Sequence, residues 1–385
     1  MTPIKKFQFD QLSGNRFQLL IDAHQFFPPM LEAISKARSF IVLEMYLIES
    51  GHVANRFLDA LIAATKRGVQ VKVIFDAFGA RALNHYDRDR LRNEGVGVVF
   101  YNPLRPGKVL RNMFRDHRKI LVVDGQVAYV GGTGLTDYFD RPEKPEHSWH
   151  DIMVEIRGPI VRDWSRLFSF VWERICRQSL SLKHEESPRF KEDMTGRVTG
   201  ANGLLTEEVK RSFLRNIRVA KKRVWMATAY FVPSWRIRRA LRSAAKKGVD
   251  VRLLLPGPYT DHPAVRVAGH RFYSRLLRQG VRIFEYQPRV FHAKAMLCDD
   301  WSSIGSSNLD RWGMKWNLEA NQEVMGADFA EQVAAWFDTG FAQSQEVDYA
   351  TWRKRSLLVR LSQWFWGQVD IWLNRLKHGR HGPDI

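Results

Sequence analysis

The sequence predicts an α/β fold of two α/β/α lobes related by pseudo-twofold symmetry, with the active site at their interface. Three observations carry the prediction. Short runs rich in β-branched and aromatic residues alternate with helical stretches that end in glycine, the pattern of a sheet covered by helices. The series occurs twice, at an offset within about ten residues of 180. Each series closes on the same polar motif, His-x-Lys followed by Asp five residues after the lysine.

Residues 39–48 and 223–232 are the first matched strands. Each is followed by a helix whose basic last turn meets a glycine, Gly68 or Gly248, and then by a second strand. Basic residues suit the negative end of a helix, and glycine takes the left-handed conformation that closes it. A further helix–glycine–strand unit follows in both halves, through Gly95 and Gly280. The polar, aperiodic segment 179–197 reads as a linker. The expected division is a first lobe over 1–178, that linker, a second lobe over 198–345, and a basic, Trp-rich tail over 346–385.

The motifs are His117/Lys119/Asp124 and His292/Lys294/Asp299. On a strand, residues two apart share a face, so each His and Lys aim at one point while Arg118 and Ala293 point away. A lysine supplies fixed positive charge for phosphate oxygens. A histidine titrates near neutrality, so it can attack phosphorus or protonate a leaving oxygen. Two copies supply both roles, a nucleophile and a general acid. A single His-x-Lys pair on a strand is mostly structural. Two copies in a repeated architecture point to phosphodiester chemistry. Asp124 and Asp299 complete the motifs, but each stands at a strand end before a turn, where holding the turn is the expected role.

Small residues follow each motif: Gly131-Gly-Thr133-Gly134 in the first half and Gly305-Ser306-Ser-Asn308 in the second. They allow close approach, and Asn308 can donate to a developing phosphorane oxygen. Asn308, Ser306 and Thr133 are the expected substrate contacts. Asp151 and Glu319 open strand-like runs after the first and second motif. Both are assigned as carboxylates that orient the histidines and stabilise the imidazolium. No role is assigned to His147 or His150.

The charge balance, 60 Lys+Arg against 41 Asp+Glu, leaves +19. Such a field attracts polyanions, either nucleic acid or an anionic membrane surface. Two cysteines, Cys176 and Cys298, make no disulfide framework or metal-ligand pair. The N-terminus lacks the apolar core of a signal peptide, and no apolar run reaches the length of a transmembrane helix. Neither a metal nor a cofactor is expected.

The duplicated motif with its downstream Gly-Gly and Gly-Ser segments resembles the phospholipase D superfamily, from about residue 14 to 340. The stretches Gly14–Asp22, Arg157–Asp163, Gly305–Asp310 and Asn317–Asn321 look most like bacterial cardiolipin synthases of the B type, which lack N-terminal transmembrane helices. The resemblance implies a metal-free ping-pong transfer. His117 would attack the phosphate of one phosphatidylglycerol and His292 would protonate the departing glycerol. A second phosphatidylglycerol would then resolve the phosphatidyl-histidine, giving cardiolipin. It also implies a peripheral position on the cytoplasmic side of the inner membrane. The chain departs from the pattern twice. Thr133-Gly134 stands where an Asn is expected, and the second hairpin is one residue shorter between Asp299 and Gly305.

Residues 352–377 carry four tryptophans, flanking Arg and Lys, and apolar residues at helical spacing. This suits a helix lying in a membrane interface, or a helix packed on the second lobe. The competing functions are a lipid phosphatidyltransferase, a nuclease or other phosphodiesterase of the same superfamily, and a non-catalytic lipid-binding protein. Intact His and Lys in both motifs argue against the third.

Overall fold

In the computed structural model, residues 8–108, 111–184, 187–191, 194–202, 207–310 and 316–355 are described. All but the first residues of the Trp-rich tail lie outside them.

The first lobe contributes strands β1 (Leu12–Ile21), β2 (Phe40–Met45), β3 (Gln70–Asp76), β4 (Gly97–Tyr101), β5 (Lys119–Val123), β6 (Val127–Gly131) and β7 (Ile152–Arg157). The second contributes β8 (Met194–Asn202), β9 (Arg223–Ala227), β10 (Asp250–Pro256), β11 (Arg282–Tyr286), β12 (Ala295–Cys298), β13 (Trp301–Gly305) and β14 (Leu318–Met325), and β15 (Ser344–Glu346) follows. They form one sheet in the order β15-β11-β10-β9-β12-β13-β14-β8-β1-β7-β6-β5-β2-β3-β4. Apart from β15, the order is the same read from either end, so the sequence repeat has become a pseudo-twofold at the β1–β8 seam. That seam is antiparallel, with Leu12 opposite Gly196 and Asn15 opposite Met194. β8 begins inside the segment read as a linker.

The helices are α1 (Ala23–Lys36), α2 (His52–Lys66), α3 (His85–Asn93), α4 (Val161–Cys176), α5 (Glu208–Val219), α6 (Trp235–Lys246), α7 (Pro263–His270), α8 (Tyr273–Leu277), α9 (Ala327–Ala342) and α10 (Tyr349–Arg353). The matched glycines close their helices as expected: Gly68, Gly95, Gly248 and Gly280 have φ of 84–87°, where a Cβ would be strained.

Three apolar clusters give the layers. One lies under the outer helices of each lobe, around Phe57 and Leu61 in the first and Ile237 and Leu241 in the second. The third is continuous across the seam and joins Trp164 and Phe168 of α4 to Trp336 and Phe337 of α9. The indole of Trp164 donates to Gln322 on β14 at 2.9 Å, and Leu19 on β1 donates to Gln332 on α9 at 3.2 Å. The two lobes therefore share a core as well as a sheet. Both cysteines are free thiols.

Candidate active site at the lobe interface

Each motif enters at the start of a strand. His117 and Lys119 lead into β5, and His292 and Lys294 lead into β12. The alternation holds. Arg118 turns to the other face, where it is fully buried beside Glu44 at 3.4 Å and donates to the main-chain oxygen of Glu319 at 3.3 Å. Burial pushes the Glu44 carboxyl up and the Asp116 carboxyl well above the usual range. The matching residues in the second lobe, Phe291 and Ala293, belong to the continuous core. The motifs thus have the same front and different backs.

The carboxylates pair crosswise. His117 Nδ1 lies 3.1 Å from Glu319 Oε2 and 3.1 Å from the main-chain oxygen of Ser306, both in the second lobe. Both are acceptors, so Nδ1 carries the proton and Nε2 keeps a free lone pair. His292 Nδ1 lies 2.7 Å from Asp151 Oδ2 in the first lobe. The main chain repeats the exchange. His117 N–H donates to Leu318 at 2.9 Å, and His292 N–H donates to His150 at 2.8 Å. Each motif histidine is held twice by the opposite lobe, through its ring and through its backbone.

Lys119 donates to the main-chain oxygen of His117 at 2.6 Å and stands 5.0 Å from the Tyr46 ring centroid. Lys294 lies 2.9 and 3.1 Å from the two ring nitrogens of His292 and also meets its carbonyl. Burial would raise both orienting acids. His117 and then Lys119 hold Glu319 below the usual range, and Lys294 and then His292 do so for Asp151. Burial pushes His117 down to about 4, opposed by Glu319 and helped by Lys119 and Lys294. Burial and Lys294 also push His292 down. Lys119 is pushed down to about 7 by burial and by Lys294, and Lys294 to about 8 by burial. Burial thus disfavours the charged forms of both imidazoles and both lysines. A phosphodiester would raise all four.

Asp124 and Asp299 lie at the far ends of β5 and β12. Asp124 is five steps along the chain from Lys119, about 16 Å along a strand. The Asp124 carboxylate accepts from the N–H groups of Arg38, Ser39 and Phe40 at 2.8–2.9 Å. Asp299 accepts from Lys221, Lys222 and Arg223 at 2.8–3.0 Å. Burial would raise Asp299, but these donors hold it below the usual range. Both residues adopt φ of 51–54°. Although they complete the motifs, in the structure they tie a hairpin to the loop before the neighbouring strand. The shorter second hairpin spans 299–300 rather than 124–126, and the motif lies at the other end of its strand.

Of the expected substrate contacts, Ser306 is engaged as a support. Its hydroxyl donates to Glu319 and its carbonyl meets His117. The first-lobe counterpart is Gly132, where a Cβ would lie 2.6 Å from Asp151 Oδ1. Each carboxylate thus has a matching floor, a hydroxyl under Glu319 and bare backbone under Asp151. Asn308 is buried, and its side-chain oxygen accepts from Thr228 at 3.3 Å. Thr133 Oγ1 and Ser307 Oγ are buried without a hydrogen-bond partner among the described residues. Continued along the hairpins, the registers Ile120–Val130 and Ala295–Ile304 set Thr133 beside His117 and Ser307 beside His292.

Sequence reasoning missed an aromatic and polar wall. Tyr46 meets the His117 ring edge-on at 4.7 Å, and Trp149 and Phe139 lie 5.4 and 5.6 Å from the His292 ring. The Tyr230 hydroxyl donates to Asp261, whose charge favours the protonated forms of His292 and Lys294. Tyr46 and Tyr230 fall in the matched runs 39–48 and 223–232, the one signal that could have found them. His150 also has a task. Its Nε2 accepts from Trp336 at 3.0 Å, so Nδ1 carries the proton that meets Asp22 at 2.9 Å.

A sequence profile described as "Cardiolipin synthase, PLD-like domain" matches residues 30–142 and 213–340. The matched segments include both motifs and Glu319. Cardiolipin synthase B of Escherichia coli (strain K12) is 35% identical over 319 residues, covering 80% of this chain and 76% of that protein. Cardiolipin synthase A of Pseudomonas aeruginosa is 32% identical over 340 residues, covering 87% and 69%. Among solved structures, phosphatidylserine synthase of Haemophilus influenzae superposes with a TM-score of 0.69 at 12% identity, covering 97% of this chain and 96% of that one. At that identity the likeness concerns the fold alone.

Proposed function

Because the chain belongs to the cardiolipin synthase, phospholipase D-like family, we propose that it is a phosphatidyltransferase that makes cardiolipin from two molecules of phosphatidylglycerol and releases glycerol. The observation that carries the mechanism is the crosswise pairing of His117 with Glu319 and His292 with Asp151. It supports one site, completed by both lobes, with two oriented imidazoles of different role.

His117 is the nucleophile in this reading. It is uncharged at neutral pH, and its Nε2 lone pair is free because Nδ1–H is held by acceptors. Nε2 attacks phosphorus, and the bond to the glycerol oxygen breaks. His292 gives that oxygen its proton, and the 2.7 Å contact with Asp151 supports the imidazolium that must exist beforehand. The second phosphatidylglycerol then offers a hydroxyl. His292 takes its proton, the oxygen attacks phosphorus, and the P–N bond to His117 breaks. Lys119 and Lys294 hold the non-bridging oxygens. Asn308, Thr133 and Ser307 are available to the phosphorane, while Ser306 keeps Glu319 in place.

No described helix is long and apolar enough to cross a membrane. A peripheral position on the cytoplasmic side of the inner membrane fits a bilayer-resident substrate. The test is to incubate the purified protein with phosphatidylglycerol in detergent micelles without added metal, and to look for cardiolipin and glycerol by mass spectrometry. Absence of cardiolipin, together with cleavage of single-stranded DNA under the same conditions, would overturn the lipid reading.

A further inference from the structure

Eight large apolar side chains are exposed among the described residues, from 37% at Tyr138 to 73% at Tyr86, and they are not scattered. The strands β2, β3, β4, β9 and β10 all run toward the edge of the sheet where the motif histidines lie. Met45, the last residue of β2, pairs with Lys119, and Ala227, the last of β9, pairs with Ala295 beside Lys294. Segments that leave these strands therefore emerge at the same edge as the site. Phe78 and Tyr86 follow β3, Leu104 follows β4, Trp235 follows β9 and Tyr259 follows β10. Tyr138 follows β6, which returns to the same edge. Those six rim residues leave two others, Val219 before β9 and Met325 at the end of β14, both at the opposite edge.

A single exposed apolar residue is ordinary. Six at one edge of the sheet, drawn from both lobes and five of them aromatic, form a rim. Three of the aromatics carry an arginine over the ring: Arg81 lies 4.0 Å from the Phe78 centroid, Arg141 5.5 Å from Tyr138 and Arg239 5.2 Å from Trp235. An aromatic body with a cationic cap matches the chemical gradient of a bilayer interface, acyl chains below and phosphates above. The rim also holds exposed acids, Glu143 and Glu146. Arginine also lies over buried rings elsewhere; the exposure of the capped rings, rather than bulk positive charge, distinguishes this edge.

We propose that this rim is the surface that docks on a phospholipid bilayer with anionic headgroups, so that the site opens directly onto the lipid. The proposal rests on the lipid reading above, and it places docking on the folded lobes as well as on any contribution from the tail. A substrate docked this way keeps its acyl chains in the bilayer while its phosphodiester reaches the histidines.

The test compares two double variants of the full chain, Phe78→Ser/Trp235→Ser at the rim and Val219→Ser/Met325→Ser at the opposite edge. Cosedimentation with vesicles of phosphatidylglycerol and phosphatidylcholine reads docking. The rim variant is expected to lose about tenfold or more in partitioning, and the control to stay within about twofold. Parental partitioning by the rim variant, or an equal loss in the control, overturns the proposal. Turnover of short-chain phosphatidylglycerol dispersed as monomers separates docking from chemistry. The rim variant should keep that turnover while losing turnover on vesicles, and loss of both would overturn the proposal. If the parent turns over no phosphatidylglycerol in any form, the lipid reading fails, and the partitioning result still decides the rim.

Discussion

His117 of the first lobe is held by Glu319 of the second, 3.1 Å from Nδ1 to Oε2, and the two residues lie 202 positions apart in the chain. The residue before Glu319 accepts the main-chain N–H of His117, so ring and backbone are fixed by one short stretch of β14. Replacing Glu319 by Ala should leave the substrate contacts and remove the orientation. The expected result is a fall in kcat of about 10² or more with little change in KM. Asp151→Ala should do the same through His292. Steady-state kinetics on phosphatidylglycerol micelles checks both, and an unchanged kcat would show that the carboxylates serve the fold alone.

His117→Ala and His292→Ala should each abolish cardiolipin formation. They should differ on a phosphatidyl ester of p-nitrophenol, whose leaving group departs without a proton. His292→Ala should then still release a burst of p-nitrophenolate and carry a phosphatidyl adduct on His117, visible by mass spectrometry of peptides. His117→Ala should give neither. The opposite pattern would exchange the two roles.

Gly132→Ala should act at a distance from the motif. The added Cβ would lie 2.6 Å from an Asp151 oxygen, so the carboxylate must move and its bond to His292 must lengthen. A fall in activity of about tenfold or more is expected with the melting temperature nearly unchanged. Ser306→Ala is the converse change, removing the hydroxyl that supports Glu319.

Asp124→Ala and Asp299→Ala should separate scaffold from chemistry. Each removes a carboxylate that accepts three main-chain N–H groups. A loss of about 2–4 kcal/mol in unfolding free energy is expected, with kcat close to parental at a temperature where the variant stays folded. Denaturant titration and kinetics on the same preparations measure the two effects.

The site should also make stability depend on pH. Lys119 and Lys294 are held to about 7 and about 8 in the fold, below the value near 10.4 of a free lysine. Between about pH 7 and pH 10 the unfolded chain binds more protons, so stability rises with pH there and is lost as pH falls through the folded values. Lys119→Met should flatten the rise, as read from urea midpoints near pH 6.5 and 9.5. Inorganic phosphate should stabilise the parent more at the lower pH, where both ammonium groups are charged.

Much of this was legible in the sequence because it depends on local order. The repeated strand–helix–glycine units set two α/β lobes, since periodicity and glycine conformation act over a few residues. The His-x-Lys spacing set which side chains share a face, since strand alternation is local too. The turn-holding role of Asp124 and Asp299 followed from their position beside a hairpin. Tertiary structure alone decided which carboxylate serves which histidine, because Asp151 and His292 lie 141 residues apart and meet through the antiparallel seam of β1 and β8. It also decided that Ser306 supports Glu319, that His150 ties Asp22 to Trp336, and that the exposed aromatics share one edge. These relations depend on how two similar lobes face each other across a pseudo-twofold, and no pattern of neighbouring residues encodes that.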